Sequence, residues 1–354
     1  MLLQTPDYII LAIESSCDDT GVAIVKGSKV LSNLVANQKV HSRFGGVVPE
    51  LASRAHQSNL IPTITLAVED AGISFSDIDA IAYTNGPGLS GSLLVGASFA
   101  KSFAWSLDLP TIPVHHMRAH ILAHFLASDS GEENHPEFPF LCLTVSGGHT
   151  QIVRVDSPSE MEVIGSTLDD AAGEAFDKVA KLIGLPYPGG PLIDKYSKLG
   201  DANRFVFNQS KVDGLNLSFS GFKTQVLRFL QQTINSDPDF FSEENKQNLF
   251  DFCASVQSTI ISMLMSKLEL AVSKSGITEI AIAGGVSANY GLRNALELKS
   301  QSDSWNVFIP PLKYCTDNAA MVAMVGVFDF SEKRFGSLKD VPSPRLPDLR
   351  NPFI

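Results

Sequence analysis

An internal echo constrains the fold of this chain more than any other feature. YIILAIESSCDDTGVAIV, from Tyr8 to Val25, is an apolar run, a small polar turn and a second apolar run, and PFLCLTVSGGHTQIVRV, from Pro139 to Val155, repeats that plan about 130 residues later. A second pair, IDAIAYTNGPGLSGSLLVGASFA from Ile78 and ITEIAIAGGVSANYGLRNALE from Ile277, repeats a β-rich strand, a glycine loop and a helix about 200 residues apart. The displacements differ by roughly 70 residues, so the second copy holds an insertion, expected around residues 160–250. Inside it, DDAAGEAFDKVAKLIG carries Ala172, Phe176, Val179 and Ile183 at helical spacing. Periodicity alone therefore predicts two α/β copies of one plan with a cleft for a ligand.

At 354 residues the chain exceeds an ordinary single domain. The echo divides it into a first domain at 1–125, a second at 126–325 containing the insertion, and a C-terminal tail at 326–354, with a C-terminal helix able to complete the first domain. The 27 basic and 38 acidic residues leave a net charge of −11, which gives the surface as a whole no general attraction for phosphate. Nucleic-acid contact then needs a local basic face or a partner. Cys17, Cys142, Cys253 and Cys315 are far apart and form no CxxC pair, against both a disulfide framework and a cysteine–zinc site. The first 25 residues hold no Lys or Arg, and Lys101 interrupts the best apolar stretch, so the expectation is a cytoplasmic protein without a membrane span.

GPGLSG at 86–91 matches GxGxxG between a strand and a helix, but the strand that follows, near Thr111 to Val114, ends in His115 and His116 rather than the acid a dinucleotide site requires. A tight glycine turn is the simpler account. GxxxxGK[ST] and GxSxG are both absent, against a P-loop and a nucleophile elbow. In HHMRAH, His116 and His120 are one helical turn apart and project from one face, as paired imidazole ligands do, although an isolated HxxxH also arises by chance or in capping. Met117 and Arg118 stand where a zinc peptidase carries its glutamate. Asp317 in YCTDNAAM is the candidate third ligand, and two imidazoles with one carboxylate suit ferrous iron or zinc. SGGHT at 146–150 and AGGVSAN at 283–289 are small-residue turns after buried strands, where backbone amides can approach a phosphate. Either is also compatible with a plain turn. Asp18 and Asp19 fall in the first hairpin turn, where Asx-turn chemistry competes with a functional role.

The duplicated plan resembles the actin, sugar-kinase and Hsp70 (ASKHA) superfamily, which binds nucleotide phosphates between two duplicated α/β domains and places an acid in the first hairpin turn. ESSCDDTGVAIV, HSRFGGVVPELASRAHQ, YTNGPGLSGSLLVG, PVHHMRAH, TVSGGHTQ, DDAAGEAFDK, PGGP, LSFSGFKT, AGGVSAN and CTDNAAM, spread over residues 9–325, resemble in order the TsaD family, the threonylcarbamoyl transferases once named O-sialoglycoprotein endopeptidases. That resemblance implies a transferase that moves the threonylcarbamoyl group of threonylcarbamoyl-AMP to the exocyclic amine of the adenosine 3′ of the anticodon in tRNA reading codons that begin with A. It further implies one divalent metal, Fe2+ or Zn2+, on His116, His120 and Asp317. Substrate would lie on Thr144, Val145, Ser146, Gly147 and Gly148, with Asp177, Gly190 and Asn289 at the nucleoside and Asp194 as an addition.

Asp18 would order the amine or a water, and the implied partners are tRNA and proteins resembling TsaB and TsaE. A face of the first half bearing Leu93, Leu94 and Phe99 is the expected partner surface, with burial in the chain's own core as the alternative. The chain departs from many relatives at Arg118, where they carry an acid. A metallopeptidase, which the older family name asserts, and a non-catalytic ATP-binding scaffold are the competing functions.

Overall fold

The computed structural model describes residues 7–44, 46–128, 134–209, 212–346 and Leu349. In chain order the regular elements are β1 (Ile9–Glu14), β2 (Thr20–Lys26), β3 (Lys29–Ala36), α1 (Pro49–Ala71), β4 (Ala80–Gly86), α2 (Ser90–Ser106), β5 (Thr111–His115) and α3 (His116–Leu122). They continue as β6 (Phe140–Val145), β7 (Thr150–Ser157), β8 (Glu160–Ser166), α4 (Ala172–Leu182), α5 (Gly190–Ser197), α6 (Ser220–Ser236) and α7 (Lys246–Ser275). The last are β9 (Glu279–Ala283), α8 (Tyr290–Ser302), β10 (Asn306–Phe308) and α9 (Ala319–Ser331). The chain divides into two compact units, the first from residues 1–135, 156–162 and 310–354, the second from 136–155 and 163–309.

In the first unit a five-stranded sheet runs β3-β2-β1-β4-β5. β1 pairs antiparallel with β2, from Ile9 opposite Lys26 to Glu14 opposite Gly21, and parallel with β4. Both faces of β1 and β4 are covered, so they read as continuous apolar runs rather than as alternation. Leu11, Ile13 and Ile81 pack with Leu60 and Ile64 of α1 and with Ala97 and Ala100 of α2. The other face meets α9, where Gly326 leaves room for Ile10 and Ala82; a β-carbon there would stand 2.8 Å from Ile10. Residues Ala319–Asp329 of α9 are all buried, as an apolar composition on every side of a helix requires.

The second unit repeats the order as β10-β9-β6-β7-β8, with β6 antiparallel to β7 and parallel to β9. β6 thus takes the place of β1, β7 of β2, β8 of β3, β9 of β4 and β10 of β5, which is the duplication the echo predicts. The helix leading into the fourth strand ends alike in both copies: Gly72 after α1 and Gly276 after α7 adopt φ of 67° and 71°, a left-handed cap that costs glycine little, and each is followed by Ile and a hydroxyl residue. Helices α4, α5 and α6 lie between β8 and α7 and have no counterpart between β3 and α1.

Two expectations shift. The C-terminal helix able to complete the first domain is α9, which with the segment from Pro310 belongs to the first unit because it buries its apolar surface on β1, β2 and β4; the division falls at 310 rather than 325, and residues to 331 form this buried helix rather than a tail. Beyond 346 only Leu349 of the expected tail is among the described residues. The stretch ending at Lys101 is also not the best apolar candidate, since α7 is long and apolar enough to cross a membrane by composition. Its Phe252, Val256, Ile260 and Leu264 instead lie in the core of the second unit with Leu141, Phe176 and Ile282.

Candidate functional site

Helix α3 starts where β5 ends, so the strand delivers His116 directly into the first turn and His120 follows on the same face. All seven residues of α3 are buried. Asp317 arrives from the segment before α9, whose N-cap Asn318 accepts the Met321 amide at 3.2 Å. Asp317 Oδ1 lies 3.1 Å from His120 Nε2 and 3.5 Å from His116 Nε2. The two rings stand edge to face with centroids 4.7 Å apart, and one ligand atom from each of the three residues falls within 4.8 Å of the others. Ions bound by imidazole and carboxylate at about 2.0–2.2 Å bring neighbouring donor atoms to roughly 3.0–3.5 Å. The trio therefore fits one divalent ion, and the buried His120 Nδ1, which has no hydrogen-bond partner among the described residues, is a polar atom the protein leaves unused.

The electrostatics agree. Burial opposes ionisation of Asp317, but His116 and His120 outweigh it and hold the carboxyl well below its ordinary value. Burial likewise opposes charge on His116, yet Glu14 and Asp317 raise its imidazole well above the usual range. Glu14 at the end of β1 is a residue that the sequence patterns did not single out. It is 1% exposed and lies 3.1 Å from His116 Nδ1. Burial pushes its carboxyl up, but the neighbouring His116 brings it below the ordinary value. Its signal was present as an acid closing an otherwise apolar strand, masked by the two aspartates after it.

Arg118, between the histidines, points away from the trio. Its guanidinium forms a fork with Asp329 at 2.6 and 2.7 Å, and its Nε donates to the Pro158 carbonyl at 2.8 Å. Its charge is thus compensated on α9, and the position offers no general-base carboxylate of the peptidase kind.

Asp18 sits half-buried in the turn after β1. That turn is held from three sides. The Leu89 amide donates to the Ser16 carbonyl at 2.7 Å, Asn37 donates to Asp19 at 2.8 Å, and His56 bridges the Cys17 carbonyl at 2.9 Å and the Thr20 hydroxyl at 2.8 Å. Burial and then Asp18 push the Cys17 thiol far above its ordinary value, so it is not a thiolate nucleophile. GPGLSG is a packing turn: a β-carbon on Gly88 would stand 2.5 Å from the Ser16 carbonyl.

In the second unit, Thr144 and Val145 end β6 and Ser146, Gly147 and Gly148 form the turn into β7. The Ser146 hydroxyl accepts the His149 amide at 3.0 Å, and its carbonyl accepts the amide of Gly173, in the first turn of α4, at 3.2 Å. Side chains on Gly147 or Gly148 would meet nothing within 4 Å, so no neighbour in the protein demands glycine at either position. Gly284, at the end of the parallel neighbour β9, has φ of 88° and would place a β-carbon 2.5 Å from the Val145 carbonyl. The turns after β6 and β9 therefore adjoin at the carboxyl ends of parallel strands, where α/β sheets commonly bind ligands.

Asp177 Oδ1 accepts the amides of Gly189 and Gly190 at 2.8 and 3.0 Å, fixing the start of α5. Asp194 Oδ1 accepts the Tyr290 amide at 3.1 Å, fixing the start of α8. Asn289 caps α8 through Leu292 at 3.0 Å and donates to Gln257 at 2.7 Å, so both ends of its amide are engaged inside the unit. The structure thus links Ser146, Asp177, Gly190, Asp194 and Asn289 through α4, α5 and α8. Of the expected partner face, Leu93 is fully buried and Phe99 packs in the core with Phe103; Leu94, 56% exposed, alone faces outward.

The sequence model of the TsaD family, described as tRNA N6-adenosine threonylcarbamoyltransferase, matches residues 29–324. A relative of that name from Christiangramia forsetii is 58% identical over 326 residues, covering 92% of this chain and 94% of the relative. Another from Riemerella anatipestifer is 55% identical and covers 95% of this chain and 97% of its own length. Among solved structures, full-length HypF in its phosphate- and nucleotide-bound form superposes with a TM-score of 0.60 at 15% identity. It covers 95% of this chain, which spans about half (48%) of HypF. Component A of the (R)-2-hydroxyglutaryl-CoA dehydratase of Acidaminococcus fermentans gives a TM-score of 0.50 at 14% identity over 92% of this chain. These two likenesses concern the fold, which is of the ASKHA type.

Proposed function

Since the chain belongs to the TsaD family, we propose that it forms threonylcarbamoyladenosine in tRNA, transferring a threonylcarbamoyl group to the N6 amine of the adenosine 3′ of the anticodon in tRNAs that read codons beginning with A. The observation that carries this is kinship above half identity over nearly the whole chain, in a protein whose His116, His120 and Asp317 converge to one point. Threonylcarbamoyl-AMP is the proposed donor. The amine nitrogen bonds to the carbamoyl carbon as the bond from that carbon to the phosphate oxygen breaks; AMP leaves, and the amine loses one proton.

His116, His120 and Asp317 would hold a divalent ion, iron or zinc, which when bound supplies Lewis acidity and a template for the threonylcarbamoyl oxygens. Glu14 keeps His116 Nδ1 engaged, so Nε2 is the nitrogen directed to that ion. Residues 144–148 are the proposed cradle of the adenylate phosphate, a reading supported by the open space at Gly147 and Gly148. Asp177, Gly190, Asp194 and Asn289 are assigned to the nucleoside, and Asn289 also holds the start of α8 in place. Asp18 is assigned to ordering the incoming amine or a water. The net charge of −11 supports a need for protein partners, of the kind resembling TsaB and TsaE, to supply part of the tRNA-binding surface. A cytoplasmic location belongs with this reading.

Nucleoside analysis of tRNA from cells depleted of the protein tests the function, the expected result being loss of threonylcarbamoyladenosine. Undiminished modification in depleted cells overturns it. Multiple-turnover transfer with purified chain, tRNA and synthetic adenylate, with and without partners, tests the partner requirement; equal rates at physiological salt would remove it.

A further inference from the structure

The residue that most needs an account outside the metal trio is Glu14. A carboxylate on the central strand of a sheet, 1% exposed and surrounded by apolar strands, is costly unless every oxygen is matched to a donor and its charge is answered nearby. Each oxygen is matched. Oε1 accepts the Ser16 amide at 2.6 Å. Oε2 accepts the Thr84 hydroxyl from the neighbouring strand β4 at 2.6 Å and lies 3.1 Å from His116 Nδ1. A backbone amide and a threonine hydroxyl fix the carboxylate, and Oε2 also faces the imidazole of His116.

We infer that Glu14 is a positioning residue for the metal centre, engaging His116 through Nδ1 and so leaving Nε2 as the nitrogen that turns to the ion. An ionised carboxylate only accepts, so the nitrogen facing it is the one that bears hydrogen. Of the two histidines only His116 has this support, since His120 Nδ1 has no partner among the described residues. Glu14 fixes the ring of His116 through Nδ1, and His120 is oriented by packing and by Asp317. Glu14 also brings a second negative charge to the centre beside Asp317. Outer partners of this kind alter metal affinity by about 10- to 100-fold when removed.

This inference rests on the metal assignment above, and the test keeps the two apart. Zinc affinity is measured on the full chain by competition with a chromophoric chelator, and the tautomer of His116 by 15N NMR of histidine-labelled, zinc-loaded protein, for the parent, Glu14→Gln and Thr84→Val. Glu14→Gln is close in shape but offers an amide with one donor side. It should weaken zinc binding about 10- to 100-fold and disturb the Nδ1–H signature of His116. Thr84→Val leaves the carboxylate but removes one of the two donors at Oε2, and should weaken zinc by about 3-fold, in line with the loss of one hydrogen bond. If Glu14→Gln does not fold, Thr84→Val carries the test alone. In a His116→Ala background, Glu14→Gln should add less than about 2-fold, because its effect runs through His116. Zinc affinity within about 2-fold of the parent for both variants, with the His116 signature unchanged, overturns the role of Glu14. A parent chain that binds no zinc overturns the metal assignment and this inference together.

Discussion

Arg118 and Asp329 form a two-pronged ion pair in which both side chains are 1% exposed, tying the helix that carries the two histidines to the buried helix α9. Removing one partner leaves an uncompensated charge in a closed interior. Arg118→Met or Asp329→Leu alone should destabilise the chain by about 3–5 kcal/mol, while the double variant should recover most of that loss. Denaturant unfolding of the three variants checks this; additive losses in the double variant would show that the two residues act independently.

His120→Ala removes one of three donors while leaving Asp317 and His116 in place. Bound metal should fall from one ion per chain to a small fraction, and transfer by at least about 100-fold, with unfolding little changed. Elemental analysis and single-turnover transfer measure both. Full transfer after exhaustive chelation of the parent would dismiss the metal from the reaction.

Metal uptake should also release a proton. In the metal-free chain His116 titrates well above its ordinary value because Glu14 and Asp317 favour its charged form, although burial opposes it, so near neutral pH it carries a proton that a bound ion must displace. Without metal, the stability this pairing contributes is fully present below the unfolded imidazole value and is lost as pH rises through the raised folded value. Apparent zinc affinity should therefore climb with pH across the neutral range, by up to about tenfold per pH unit. Calorimetry in two buffers of different ionisation enthalpy counts the proton. Uptake without proton release would show His116 already neutral.

Gly147 and Gly173 offer a paired test of which glycines serve the fold and which serve a ligand. A β-carbon at Gly147 meets nothing within 4 Å, whereas at Gly173 it would stand 2.6 Å from the Ser146 carbonyl. Gly147→Val should leave stability within about 0.5 kcal/mol and weaken AMP binding at least tenfold; Gly173→Val should destabilise by about 1–3 kcal/mol through a backbone clash. Unchanged AMP affinity for Gly147→Val would move the phosphate cradle elsewhere.

Much of this was legible from spacing. The duplicated strands, the insertion and the His116–His120 turn each have a local period, and the structure returns each of them. What escaped was set by contacts distant in sequence. Nothing local to Glu14 announces a bond to a histidine 102 positions away. That a C-terminal helix could complete the first unit was foreseen, but its start at the 310 division was not, since it is fixed by contacts such as Gly326 with Ile10, far apart in the chain. Leu93 and Leu94 are chemically alike and adjacent, and only the phase of α2 against α1 decides that one is core and the other surface. Asn289, expected at the nucleoside, also caps α8 through the Leu292 amide, a role the sequence did not announce.

The two carboxylates that fix the starts of α5 and α8 have a bearing on motion. Asp177, midway along α4, grips Gly189 and Gly190, and Asp194, one turn into α5, grips Tyr290 of α8, so the starts of α5 and α8 are each held by a carboxylate from another helix. A guest molecule that engages either aspartate draws on groups already holding helix ends, and so tightens or loosens the next helix in line. The exchange of three amide protons, those of Gly189, Gly190 and Tyr290, is accordingly where occupancy should be felt first, ahead of any visible displacement of the backbone.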